Sequence, residues 1–439
     1  MAVVQEPDTP ARGVAITRAG DGGDDPSGDT QPSEDQSSDD RPSADARSRD
    51  AAVVALVLED VLPSTHVTVG PDGVLVGVRD GLPLTATEEE LLAAAPAARE
   101  VVAGMSLAGA QMSHRQVLED VLVVGVLEAR LPTAARGSVP GTVLSAVRAL
   151  SARREEGKAA CSGVLVVDDV GEWRAHVEGH DGLLLEPLAV PLTVDERFFA
   201  HPATHHYVDG RHSLFVVGPD RSVVGILRLD GAHDPLRVAA GDHLAPALDG
   251  PPAFAAVADA NSVVTVVGAG GLHLRRRTSH WRLVDPTLLP RCLRLAGMGE
   301  GDAAILATAL SALSDARTGT FVLVPTADRT PRLAGVVDPS RSGAVLLTHL
   351  LGRSLRELRD RHALLGLLGH DGLTMFSSAG ELLLTGAIID LDGIDAAHSG
   401  GSRTHAAASA STAGVTLMVS ADGQITAFSD GRQLLHLER

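Results

Sequence analysis

Residues 303–324 read AAILATALSALSDARTGTFVLV. Leu306, Leu310 and Leu313 recur three and four positions apart, which places them on one face of a helix. Gly319 is a helix stop, and Phe321–Val324 is an unbroken apolar run typical of a strand buried on both faces. A helix handed by a glycine into a buried strand is the building unit of a mixed α/β sheet. Toward the C-terminus the pattern predicts a second long helix over Val345–Arg361. Strands follow at Leu373–Phe376 and Leu382–Ile389 across a Ser-Ala-Gly turn. A helix starts at Thr404–Ala410, and Val415–Ser420 with Gln424–Ser429 form a closing hairpin over Ala421–Asp422–Gly423. Residues 301–439 are therefore expected to fold as one compact α/β unit with a central mixed sheet.

Upstream, residues 51–298 read as an α+β, β-rich region. Val53–Leu58, Val67–Val69 and Val74–Val78 look like strands, the last two joined by a Gly70–Pro71–Asp72–Gly73 turn. Thr87 stands three positions before Glu90, the spacing of a capping box that opens a helix, with Pro96 inside it. Val117–Leu127 is a buried element, Val143–Glu156 a helix ending near Gly157, and Val164–Val167 a buried strand. From Leu183 to Leu283 hairpins dominate: Ser213–Val217 with Val223–Leu229, and Ser262–Val267 with Leu272–Arg276 across a glycine turn. Trp281–Pro290 reads as a connector. Boundaries fall at Gly297–Gly301 and, within the region, near residues 160–185. Residues 1–50 carry 12 acidic residues against 5 arginines amid Ser, Gly and Pro. Such a segment buries too little apolar surface to offset its ordering entropy, so a disordered acidic tail is expected. The organisation is thus a tail at 1–50, a regulatory or sensor region at 51–298 and an α/β domain at 299–439.

Apolar residues make up 44% and aromatics only 2%, so the core must be Val, Leu and Ala. A net charge of −19 opposes the coating of nucleic acid, and no nucleic-acid partner is expected. It leaves room for a small nucleotide pocket. Cys161 and Cys292 form neither a disulfide framework nor a zinc motif. Met1 to Glu6 lacks the basic and apolar regions of a signal peptide, and no uncharged apolar stretch is long enough to span a bilayer. A soluble, cytoplasmic protein without membrane partners is expected.

Two segments of the last third carry chemistry. His370–Asp371–Gly372–Leu373 sits at a helix-to-strand turn. Gly400–Gly401–Ser402–Arg403–Thr404–His405–Ala406–Ala407 enters a helix. The glycines let backbone approach a ligand, and the helix N-terminus offers unpaired N–H groups. Ser402 and Thr404 add hydroxyls, and the Arg403 fork fits phosphate oxygens. Asp371 has the chemistry to hold Mg²⁺ or Mn²⁺ bridging those phosphates. A carboxylate-held metal beside a phosphate cradle suits nucleotidyl transfer.

In order and flanks, these segments resemble the nucleotide-binding domain of diadenylate cyclases, of the DNA-integrity-scanning type. That family has a Gly-containing strand entry, His-Asp-Gly-Ala after a second helix, Gly-Thr-Arg-His-Arg-Ala-Ala at a helix start, and a strand ending in Val-Ser-Glu-Glu. This chain has Ala316–Val324, Gly369–Leu373, Gly401–Ala407 and Val419–Gly423 in the same order. Leu373 stands in place of Ala, Thr404–His405 in place of His-Arg, and Ala421–Asp422 in place of the acidic pair. The resemblance implies a mixed-sheet α/β sandwich in which two ATP-loaded domains face each other in a homodimer or higher oligomer. They would join two ATP into cyclic di-AMP and release pyrophosphate. It implies catalytic roles for Asp371, Gly372, Arg403, Thr404 and His405. Gly401, Ser402, Arg403, Thr404, His405, Leu373 and Ser420 would bind ATP, and Asp371, His370 and Asp422 would hold the metal. The altered Arg-Thr-His motif leaves a second reading open, a sensor of the same fold that binds nucleotide without turnover.

Other motifs weigh less. Gly179–His180–Asp181–Gly182–Leu183 repeats the later five residues letter for letter, but only hairpins follow, so chance or a degenerate duplication is expected rather than a second site. Gly268–Ala269–Gly270–Gly271 is followed by a strand-like alternation, so a hairpin turn is expected. His201, His205, His206 and His212 with Asp209 fit no standard metal spacing and read as a polar loop.

Overall fold

The computed structural model describes residues 44–70, 74–79, 81–104, 113–155, 157–229, 242–277, 280–326, 337–338, 345–360, 362–389 and 401–437. Strands in chain order are β1 (His66–Val69), β2 (Leu75–Val78), β3 (Arg154–Glu155), β4 (Lys158–Ala159), β5 (Ser162–Val167), β6 (Leu183–Pro187), β7 (Ser213–Val217), β8 (Val223–Leu229), β9 (Ala253–Ala258) and β10 (Val264–Gly268). They continue with β11 (Leu272–Arg277), β12 (His280–Leu283), β13 (Thr320–Pro325), β14 (Val337–Asp338), β15 (Leu373–Phe376), β16 (Leu382–Ile389), β17 (Gly414–Val419), β18 (Ile425–Ser429) and β19 (Arg432–Leu437). The fold is α/β with two mixed sheets. One is eight-stranded, β12-β11-β10-β9-β5-β7-β8-β6, and the other seven-stranded, β14-β16-β15-β13-β17-β18-β19.

The two sheets follow one plan. Each has a fully buried first strand, β5 or β13, parallel to β7 or β15 and antiparallel to β9 or β17. Each then grows by hairpins on both sides. Even the irregularities coincide. A register shift falls between Val216 and Val217 in one sheet and between Met375 and Phe376 in the other. The following turns place Arg221 (φ 67°) and Gly380 (φ 76°) in the left-handed region. Isolated bridges pair Thr193 with Ser222 and Ser354 with Glu381. The next hairpin turns place Ser262 (φ 62°) and Gly423 (φ 91°) at matching positions. β12 is the extra strand of the first sheet.

The identical letters at Gly179–Leu183 and Gly369–Leu373 are not equivalent in this plan. The first stretch leads into edge strand β6, the second into interior strand β15. The position of β15 is occupied in the first sheet by β7.

One face of the first sheet packs under the helices Ala44–Val61, Ser113–Arg130 and Val139–Ser151, forming the largest core around Leu58, Leu122, Leu127, Val147, Val164 and Trp281. Its other face buries Trp173, Val177, Leu214 and Leu248. The second sheet packs on the helix Glu300–Asp315 through Leu306, Leu310 and Val322, and on the helix Ser402–Ala410 through Ala407 and Phe321.

Several local expectations change. Val53–Leu58 lies in the helix Ala44–Val61, because Ala51, Val54, Leu58 and Val61 fall on one buried face. That helix begins inside the expected tail, while residues 1–43 lie outside the described ones, as do Pro71–Asp72–Gly73 and Gly400. The capping box is Thr85 with Glu88, not Thr87 with Glu90. The helix expected to reach Glu156 ends at Ser151, and Glu155 joins the β3–β4 hairpin. Trp281 is in β12 rather than a connector. The long helix at Val345–Arg361 is instead a 3₁₀ turn, Val345–Leu350, and a short helix, Leu355–Asp360, separated by a Gly352 at φ 78°. The final hairpin gains a third strand, β19.

Candidate functional site

The two sequence segments meet. His370, Asp371, Gly372 and Leu373 line one cleft with Ser402, Arg403 and Ala406, a space of about 380 Å³ at the end of the second sheet where β13 and β15 begin. Such a volume is within the range of small-molecule pockets. β15 pairs in parallel with β13, with Leu373 opposite Phe321, so the turn before β15 reaches the same end as Gly319 and Thr320. β16 runs back beside it and brings Gly386–Ile389 to the wall.

The turn at Asp371 is built by Gly372. Its φ of 98° lies in the left-handed region, and a Cβ there would stand 2.8 Å from the carbonyl carbon of Gly386. Only glycine permits this close approach. Asp371 is thereby thrown outward, its side chain 90% exposed, with one Oδ1 contact from Arg403 Nη2 at 3.2 Å. The His370 ring Nδ1 lies 3.1 Å from the Asp371 carbonyl. Behind the cleft the Thr320 hydroxyl donates to the Leu368 carbonyl, anchoring β13 to the helix Leu364–Leu368 that leads into β15.

Arg403 stands in the first turn of the helix Ser402–Ala410. Gly401 is its N-cap, in extended conformation and with no side-chain bond closing the helix end. Gly319 makes room for the guanidinium, since a Cβ there would come within 2.5 Å of Arg403 Nη1. The cleft therefore combines an open helix N-terminus, a guanidinium, a hydroxyl from Ser402 and an exposed carboxylate. Such a set can bind a phosphate and a divalent cation together.

The remaining expected residues stand apart from this wall. Thr404 and His405 are half-buried, donate their N–H groups to the Gly401 carbonyl at 3.0 and 3.2 Å, and do not line the cleft. The helical turn after Arg403 rotates both side chains away. Ser420 and Asp422 sit on the β17–β18 turn, outside the lining. There the Ser420 hydroxyl donates to Asp422 Oδ1, and this bond first of all holds the Asp422 carboxyl below its usual range. The sequence reading missed Gly386–Ile389; an apolar strand edge carries no chemical signature, and only its pairing with β15 reveals the contact.

No protein-family model and no curated protein matches the chain.

Proposed function

We propose that the second sheet and its helices form a nucleotide-binding unit of diadenylate cyclase type, acting as a nucleotidyltransferase on ATP. The observation that carries this reading is the convergence of Asp371 and Arg403, from two segments far apart in sequence, at 3.2 Å on the wall of one cleft. Arg403 and the open N–H groups of Ser402 and Arg403 would hold the triphosphate, and the apolar wall of Phe321, Leu373 and Ala387 would take the base or ribose. Asp371 fits Mg²⁺ or Mn²⁺, because such ions are held by one or two carboxylates plus substrate phosphates and this carboxylate is exposed with a single partner among the described residues. The bound cation would neutralise charge on the α-phosphate and the departing pyrophosphate. Two copies of the unit would face each other in a homodimer. Each ATP 3′-oxygen then attacks the partner's α-phosphorus, its proton passes to water, and the bond to pyrophosphate breaks. The eight-stranded sheet and its helices would serve as the regulatory part.

Incubating the full chain with ATP and Mn²⁺ tests this: cyclic di-AMP and pyrophosphate are expected. Asp371→Asn keeps the size but not the charge, so product should vanish while the circular dichroism stays unchanged. Arg403→Ala should weaken ATP binding by about 1.5–3 kcal/mol, the scale of hydrogen bonds to charged groups. Full activity in Asp371→Asn rejects the assignment. The position of Thr404–His405 outside the cleft favours one second reading, a sensor that binds nucleotide without turnover. ATP binding that depends on Arg403, with no product, selects it.

A further inference from the structure

Outside that cleft, Glu155, His205 and His206 bring three ligand atoms within 4.8 Å of one another. Glu155 stands on the β3–β4 hairpin, and the two histidines close the short helix Ala203–His206. The carboxylate is splayed between two rings, Oε1 to His205 Nε2 at 2.7 Å and Oε2 to His206 Nε2 at 2.9 Å. The rings stand nearly perpendicular, at 82° with centroids 5.2 Å apart. Of the other groups weighed in the sequence, Asp209 pairs with His212 Nδ1 at 2.8 Å, and His201 Nδ1 accepts from the Ala203 N–H. Neither belongs to the cluster.

A plain ion pair explains the arrangement poorly. The His205 side chain is 1% exposed, and its Nδ1 is buried without a hydrogen-bond partner among the described residues. A charged imidazolium there would bury two N–H groups with one acceptor between them, a costly arrangement. Nε2, which now donates to the carboxylate, would bind a metal in place of its proton.

The place in the fold adds a second observation. The Ser162 hydroxyl donates to the Thr204 carbonyl just as the Thr320 hydroxyl donates to that of Leu368. Ser162 and Thr320 both open the fully buried central strand of their sheets, β5 and β13. The residues that follow, His205–His206 and Gly369–His370, therefore hold equivalent positions. The cluster thus lies beside the opening of β5, as His370 of the Asp371 cleft lies beside that of β13.

We propose that Glu155, His205 and His206 form a zinc site with two imidazole nitrogens, one carboxylate oxygen and a fourth position open to water. Two nitrogens with one carboxylate select Zn²⁺ over Mg²⁺ or Ca²⁺, which prefer all-oxygen shells. Tetrahedral ligand atoms around Zn²⁺ lie about 3.3 Å apart, so the Oε1–His205 contact must open by about half an ångström and His206 must turn from Oε2 toward the same ion. Glu155, on a two-residue strand with its side chain 36% exposed, can withdraw that far. The site would tie the β3–β4 hairpin to the 198–206 segment.

The test uses the full chain, untagged, chelator-treated and free of nucleotide, titrated with Co²⁺ as a spectroscopic stand-in for Zn²⁺. One equivalent should give the intense visible bands of a four-coordinate site, bleached by Zn²⁺. His206→Ala and Glu155→Gln change exposed or half-exposed groups; each should weaken binding by roughly tenfold or more with circular dichroism unchanged. Asp371→Asn should leave the bands intact. The absence of such bands in the unmodified chain, or their persistence in both cluster variants, overturns the proposal.

Discussion

At the residue scale, Asp209 shows how local donors defeat burial. Burial alone would raise its carboxyl. Oδ1, however, accepts from the N–H groups of Arg211, His212 and Ser213 and from the Ser213 hydroxyl at 2.8–3.1 Å, while Oδ2 meets His212 Nδ1. The net result is a carboxyl lowered to about 2. The unfolded group titrates at about 3.9, so its stabilisation is complete above that pH and is lost as pH falls toward 2. Asp209→Asn should therefore lower the urea midpoint at pH 7, and the gap to the unmodified chain should close between pH 4 and 2. A gap that stays constant over that window would reject the assigned role. The sequence showed Asp209 only as part of a histidine-rich loop, because the donors are backbone groups that no motif records. The meeting of Asp371 and Arg403 was legible because their residue types, glycine turn and helix start jointly suggested one shared site. Glu155 was invisible, lying fifty residues from its histidines on a hairpin read as a helix.

At the scale of elements, the stretch Thr85–Ala86–Thr87–Glu88–Glu89–Glu90 contains two overlapping capping-box spacings. Local sequence cannot choose between them; Arg79 does. Its guanidinium forks onto Glu88 at 2.5 and 3.0 Å, both side chains are almost wholly buried, and Glu88 Oε2 also accepts the Thr85 N–H at 2.7 Å. Arg79→Ala leaves a buried, unpaired carboxylate and should cost about 3–5 kcal/mol in chemical denaturation. Thr85→Ala removes one cap bond and should cost about 1 kcal/mol. Equal losses in the two variants would contradict this account. The interior strands β5, β7, β13 and β15 were legible because runs such as Val164–Val167 and Phe321–Val324 are short, apolar and bounded by turn formers. Val53–Leu58 has the same composition, and its helical form is set by the surface it packs on rather than by its own residues.

At the scale of the whole molecule, the sequence places a boundary near residue 299. The second core, however, reaches back through Leu288, Leu289, Cys292, Leu293 and Met298 and takes in Leu82. A fragment of residues 299–439 should be far less stable than one of residues 285–439, since each buried leucine is worth about 2–5 kcal/mol. Comparable melting of the two fragments would show that these leucines are dispensable. The shared plan of the sheets was not legible, because matching positions hold different residues, Ser162 and Thr320, Arg221 and Gly380, Ser262 and Gly423. The letters that do repeat mark unlike places.

That shared plan bears on how the chain reaches its native state. β5 and its partner β9 are separated by the whole β6–β8 excursion, and β13 and β17 likewise, so in each sheet the hairpins can close before the central antiparallel pair. While both central strands wait, each meets two sets of neighbours of the same geometry, its own and those of the other sheet. Exchange between them is the characteristic trap of chains that hold one topology twice. Synthesis from the N-terminus relieves it, since the first sheet can complete itself before β13 has left the ribosome.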